Sequence, residues 1–407
     1  MKNLNRIIYN YNEIKHDTYT SESQIEINKV TNEHLDSFMD IFQENTTRKL
    51  LIDGAAGTGK TYAALNLAKL NAQENTNILF TCYNRNLSEW ISNKLIKYKN
   101  IKTASIHSLF YEIIDPYGNW GSLIADLKTN YKDNKNRDGW DKLAVLATEL
   151  FIEHELEQYD YLIIDESQDI LSEPILDFFD ICLKNGLNNG KWAMFGDFKY
   201  QDIFINYQSI TTKYEPQVIP FKSNLRNPEN IGRISERIIT SKTNELYNKY
   251  KNPVEENPIE IIEYSEIING IPSDEDYINK LDKLLTKIES QNNASNTIII
   301  TQQIEGANKL AKIKKINKNI SKKINKLTPE KIINRTQSKF YFTNTQSFKG
   351  LESPIIIFTE IEEFDDINKK LNYITFTRAL NKIYIVIEKN KLNKLLDTKL
   401  LSELDYI

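Results

Sequence analysis

The sequence predicts an α/β fold in two domains, each a parallel sheet flanked by helices, and three observations predict it. Apolar runs such as Tyr161-Leu-Ile-Ile164 and Trp192-Ala-Met-Phe195 show no alternation with polar residues, as expected of strands covered on both faces. Stretches with helical spacing separate these runs, and alternation of strand and helix implies parallel pairing. The length of 407 residues suffices for two or three domains that each bury a core.

In chain order, residues 1–30 are polar and form an N-terminal extension. Leu35, Phe38, Met39 and Phe42 recur at helical spacing, so an amphipathic helix is expected over 31–43. A strand at 49–52 runs into a glycine-rich turn and a helix at about 60–72. A strand at 77–82, a helix at 87–98 and a short strand before His107 continue the series. Residues 109–158 read as mostly helical, broken near 131–139 by the polar run YKDNKNRDG. Strands at 160–164 and 192–195 complete the first set. The second set has strands at 259–263, 296–301, 354–358 and 382–387, with helical stretches including 275–289 and 303–316. The first domain is therefore placed at 31–215, with a small helical insertion at about 109–158. The second is placed at 216–407, with a reduced insertion at about 303–340, and the boundary itself at about 212–220. A lysine-rich stretch over 309–331 reads as a solvated amphipathic helix or as an arm that contacts a nucleic-acid strand.

Hydrophobic content of 40% and charged content of 27% are those of an ordinary soluble protein. The formal net charge of -4 excludes a general positive field, so a nucleic-acid site has to be a local groove. Cys82 and Cys182 lie far apart with no CxxC or His/Cys cluster, against both a disulfide framework and structural zinc. No apolar run approaches about 18 residues, so no membrane span is expected. The N-terminus MKNLNRIIYNYNEIKHD lacks the apolar core of a signal peptide, and a cytoplasmic location is the expectation.

Gly54-Ala-Ala-Gly57-Thr-Gly59-Lys60-Thr61 fits G-x-x-x-x-G-K-[ST] between a strand and a helix. Glycines let successive N–H groups turn inward toward phosphate oxygens, and the helix N-terminus adds its dipole. Lys60 is expected on the β- and γ-phosphates of ATP, and Thr61 on Mg²⁺. Asp165-Glu166 closes an apolar strand, and open α/β sheets bind ligands at the C-terminal ends of their strands. Asp165 is the expected Mg²⁺ holder and Glu166 the general base on the attacking water.

Read as a run, Asp165-Glu166-Ser167-Gln168-Asp169 resembles the DExQD box of UvrD/Rep-like superfamily 1 helicases. Further segments resemble that family's motifs in the same order. Gly196-Asp197 with Gln201 resembles GDxxQ, with one extra residue before the glutamine. Asn224-Leu225-Arg226-Asn227 resembles NYRN, with Leu225 where a tyrosine usually stacks on adenine. Gln346-Ser-Phe-Lys349-Gly350-Leu351-Glu352 resembles HxxKGLE, with Gln346 for histidine. Tyr373-Ile-Thr-Phe-Thr377-Arg378-Ala379 resembles YVAxTRA.

The resemblance implies two RecA-like domains with ATP between them, Gln201 on the γ-phosphate, and Arg226 and Arg378 as arginine fingers. It also implies a nucleotide pocket that includes Gly350, Glu352 at the ribose and His34 where a glutamine normally reads adenine. With His34 and Leu225 both unusual, general NTP use is consistent with the motifs. Asn84, His107, Phe204 and Gln346 fall at positions that imply contact with single-stranded DNA, and the motifs do not discriminate DNA from RNA.

Full-size members carry larger insertions, so a compact motor is expected, completed by a protein partner such as a nuclease, in DNA repair or anti-phage defence. The leading expectation is an ATP-dependent single-stranded-DNA translocase or 3′–5′ helicase. The alternative is a nucleotide-switched regulatory ATPase that gates a partner and unwinds little.

Overall fold

The computed structural model describes residues 48–72, 76–118, 120–121, 123–125, 137–199, 207–241, 246–250, 252, 258–268, 271–272, 274–291, 293–302, 309–310, 317–362 and 368–392. The extension at 1–30, the helix expected over 31–43, and most of the stretch 303–316 lie outside the described residues.

The first lobe begins with β1 (Lys49–Gly54), α1 (Lys60–Ala72), β2 (Ile78–Cys82), α2 (Arg85–Leu95), β3 (Ile101–Ser105) and α3 (Ile106–Ile114). It continues with α4 (Arg137–Glu153), β4 (Tyr161–Asp165), α5 (Glu173–Cys182), β5 (Lys191–Gly196), α6 (Tyr207–Tyr214) and β6 (Gln217–Phe221). Its six strands lie in the order β3-β2-β4-β5-β1-β6, every adjacent pair parallel. Side chains in a strand alternate between faces, and here the alternation separates two cores. Leu50, Ile52, Ile163 and Phe195 enter one apolar cluster, while Leu51, Leu162, Ile164 and Met194 enter the other. Both faces are therefore covered, which is why these strands read as unbroken apolar runs.

A second lobe follows α7 (Glu229–Thr240). It contains β7 (Ile259–Tyr264), α8 (Glu275–Ser290), β8 (Thr297–Thr301), α9 (Lys318–Lys323), β9 (Ile324–Lys326), α10 (Pro329–Ile333), β10 (Phe340–Asn344), β11 (Ser353–Thr359), α11 (Lys369–Phe376) and β12 (Ala379–Glu388). The strand order is β9-β10-β8-β11-β12-β7, again wholly parallel. Ile298 and Ile300 face the core that also holds Ile52 and Phe80 of the first lobe, whereas Ile299 faces a separate core with Leu281 and Phe342. One apolar cluster thus runs through both lobes.

Two expectations are corrected. Gln217–Phe221 pairs with β1 in the first sheet, so the crossing to the second lobe lies beyond Phe221 rather than at 216. The stretch expected to be a reduced insertion at 303–340 instead supplies β9, and β10 follows at its end. The lysine run is not a free arm where it is described: Lys323 pairs with Asp282 at 3.0 Å, and Lys309 pairs with Glu266 and Asp274, both at 2.7 Å. Both cysteines are free and buried. No described helix is long and apolar enough to cross a membrane.

Candidate active site between the two lobes

β1 lies inside the sheet, flanked by β5 and β6, and delivers the glycine-rich turn at its C-terminal end. Gly57 and Gly59 take φ of 80° and 90°, a region that costs residues with a Cβ. The Thr58 hydroxyl donates to Ala55 O at 2.8 Å and closes the turn. Lys60 opens α1 and is 6% exposed, its ammonium donating to Gly54 O at 2.7 Å and Ala55 O at 3.0 Å. The cation is therefore held inside the loop by two of its carbonyl oxygens.

β4 carries Asp165 to the same edge. Its side chain is fully buried, and neither carboxylate oxygen has a hydrogen-bond partner of good geometry, although the Thr61 hydroxyl lies close enough to favour the charge. Burial, reinforced by the neighbouring Glu166 charge, pushes the Asp165 carboxyl above its ordinary range, against Thr61 and Lys60. Glu166 sits at φ 51° and accepts a 2.6 Å hydrogen bond from Gln168 Nε2. Burial also disfavours the Glu166 charge, but Lys349, Lys60 and Arg378 outweigh it and hold this carboxyl below its ordinary range. Glu166 thus senses one cation on its own lobe and two on the other.

Among the described residues no group of three or more His, Cys, Asp or Glu side chains could hold a metal. An orphaned buried carboxylate beside a threonine hydroxyl nevertheless fits a hard divalent ion that takes its other ligands from water and phosphate oxygens.

The opposite wall is built by a loop that touches the phosphate turn directly. Leu225 N donates to Gly57 O at 2.9 Å. Asn224 Oδ1 accepts from the backbone N–H groups of Arg226 at 3.0 Å and Asn227 at 2.9 Å. Asn227 Nδ2 donates to Thr377 O at 3.2 Å and Ala379 O at 2.7 Å, which ties this loop to the segment carrying Arg378. Arg226 Nε is paired with Glu352 Oε2 at 2.7 Å, and Tyr62 from α1 donates to the other Glu352 oxygen at 3.2 Å. Arg378 is 2% exposed and donates to Ile374 O, Leu351 O and the Thr377 hydroxyl. Burial and the like charge of Arg226 lower its pKa to about 10, while Glu166 pulls it up. It remains a cation at neutral pH. A glycine-rich turn with its lysine, a buried carboxylate without a hydrogen-bond partner, an ionised carboxylate and two arginines can together hold and cleave a nucleoside triphosphate.

A family model described as "Type III restriction enzyme, res subunit" matches residues 19–173, under two fifths of the chain, taking in the phosphate turn and the Asp165-Glu166 strand. The chain is an ATP-dependent enzyme. It is also similar to a solved structure, the C-terminal domain of a possible DNA helicase from Lactobacillus plantarum WCFS1. That similarity has 15% identity and a TM-score of 0.28, over 40% of this chain and 86% of that one. No curated protein matches.

The remaining expected residues are distributed unevenly. His34, Gln201 and Phe204 lie outside the described residues. Glu352, expected at the ribose, is engaged by Arg226 and Tyr62. Gly350 packs against the first lobe, where a Cβ would meet Leu87 Cδ2 at 2.6 Å. Asn84 caps α2 and sends its amide to Gln346 O at 3.0 Å and Lys349 O at 3.2 Å, so it joins the lobes. Gln346 has its side chain exposed. His107 is wedged between Tyr83 and Trp140, with ring centroids 5.1 and 3.5 Å away, and burial lowers its pKa to about 4.

Residues not singled out from sequence also shape the site. Lys349 bridges the lobes through a 2.6 Å contact with Asp169. Gln168 orients Glu166, and both lay in quoted motifs, which was the available signal. Tyr247 had none, because its contact with Ala56 spans 191 positions.

Proposed function

We propose that this enzyme is a UvrD/Rep-like superfamily 1 motor that moves 3′ to 5′ along single-stranded DNA, hydrolysing ATP between its lobes. The observation that carries the reading is the electrostatic setting of Glu166, an ionised carboxylate facing Lys60 from one lobe and Lys349 and Arg378 from the other. Cations supplied by opposite lobes neutralise a γ-phosphoryl group only when the cleft is closed, so hydrolysis and opening are coupled.

In this reading the N–H groups of Gly57, Gly59 and Lys60 cradle the phosphates, and Lys60 exchanges its carbonyl partners for phosphate oxygens. Thr61 and Asp165 would hold Mg²⁺, which when bound would supply neutralisation of the phosphate charge. Glu166 accepts the proton of the attacking water, with Gln168 fixing its orientation. Arg226 trades Glu352 for the γ-phosphate, leaving Glu352 toward the ribose, and Arg378 completes the charge. Buried Leu225 offers no exposed aromatic face to a base, in line with loose selectivity among nucleotides.

The test is steady-state ATP hydrolysis with and without single-stranded DNA, beside strand displacement on 3′- and 5′-tailed duplexes. Stimulation by DNA, with displacement on the 3′-tailed substrate, is expected. Hydrolysis indifferent to DNA would rule the motor reading out.

A further inference from the structure

A pair of buried phenols grips a single residue of the phosphate turn, Ala56, through the peptide units on either side of it. Ala56 N–H donates to the Tyr373 hydroxyl at 2.9 Å, and the Tyr247 hydroxyl donates to Ala56 O at 2.8 Å. The Tyr373 hydroxyl in turn donates to Asp197 Oδ2 at 3.4 Å, and the two phenols lie within reach of each other. Asp197 N–H donates to Gln168 Oε1 at 3.1 Å, and Gln168 donates to Glu166. The result is an unbroken path from Glu166 through Gln168, Asp197 and Tyr373 to the phosphate turn. Burial pushes both phenols up, so each keeps its proton at any working pH.

Tyr373 lies on α11, five positions before Arg378, whose guanidinium bonds back to the carbonyl of Ile374 on the same helix. A shift of α11 that moves the Arg378 segment moves Tyr373 with it. Tyr247 is fixed independently, because buried Glu236 accepts from Leu246 N–H and from the Tyr250 hydroxyl on either side of it.

We infer that Tyr373 is a positioning residue for hydrolysis, transmitting the position of the Arg378 helix to the phosphate turn and to Glu166, with Tyr247 as the fixed abutment. It touches neither nucleotide nor water and acts through Ala56 and Asp197. The inference rests on the ATP-site reading above.

Tyr373→Phe keeps the ring and its packing and removes only the hydroxyl. The test compares kcat and KM for ATP hydrolysis, affinity for a fluorescent ATP analogue, and Tm in the full chain. A fall in kcat of about tenfold is expected, since sub-ångström misplacement of reacting groups slows chemistry. Analogue affinity should stay within about twofold, because the direct phosphate contacts remain. Tyr247→Phe should give the same split between kcat and affinity, and it decides the matter if Tyr373→Phe does not fold. Wild-type kcat in either folded variant, or a loss of kcat matched by an equal loss of affinity, overturns the inference. Lys60→Ala run in parallel separates the two levels: turnover surviving there removes the ATP-site reading itself.

Discussion

Asp165 and Glu166 are adjacent in sequence, equally acidic by type, and driven in opposite directions by their surroundings. Asp165 is sealed in the sheet with the Glu166 charge beside it, and Glu166 is turned by its positive φ toward three cations. Carboxyls split in this way are the usual sign of divided labour in an active site. His107 illustrates the opposite outcome. Its ring is packed against Trp140 and Tyr83 and kept neutral. Its folded pKa of about 4 lies below the ordinary 6.5. Between those values the unfolded chain binds the proton more readily, so this contribution to stability is complete above 6.5 and is lost as pH falls toward 4. Denaturant melts of wild type and His107→Phe at pH 7 and pH 5 test this. The variant should lose about 1–2 kcal/mol less on acidification. An identical loss in both proteins would place the titration elsewhere.

At the scale of elements, the legible parts were those whose signal is local. The strands ILFTC, YLIID and TIIIT are wholly buried and read as such, and the phosphate turn needs glycine where the chain takes positive φ. Strand β6 was missed because it is an edge strand with alternate residues exposed and Pro220 within it, a placement proline tolerates only at edges. Strand β9 has three residues at the other sheet's edge, in a lysine-rich setting typical of protected edges. The loop pairing of Leu225 with Gly57 was invisible because nothing in either segment encodes the other. It makes a sharp prediction. A Cβ on Gly57 would meet Asn224 Oδ1 at 2.8 Å, and that oxygen already caps Arg226 and Asn227. Gly57→Ala should cost about 1–3 kcal/mol in a thermal or urea melt. The same variant should bind a fluorescent ATP analogue more weakly. Unchanged stability and affinity would mean that the turn and the loop are not held together as described.

At the scale of the molecule, the two sheets share one apolar core, and their polar contacts cluster at the nucleotide end. Lys349 with Asp169, Asn84 with Gln346 and Lys349, Asn86 with Ser347, and Tyr373 with Ala56 all cross between the lobes. Such a seam, polar and concentrated around the site, can change when phosphate charge arrives, while the shared apolar cluster keeps the lobes joined. The family resemblance carried the arginine assignment at sequence level, since an arginine in a loop carries no local sign of the pocket it serves. The central claim is that ATP is cleaved between Lys60 on one lobe and arginines from the opposite wall. Single-turnover hydrolysis of ATP by Arg226→Ala tests it most directly. The account predicts retained nucleotide binding with the chemical step slowed by about 10³-fold or more. Hydrolysis at the wild-type rate in that variant would contradict it.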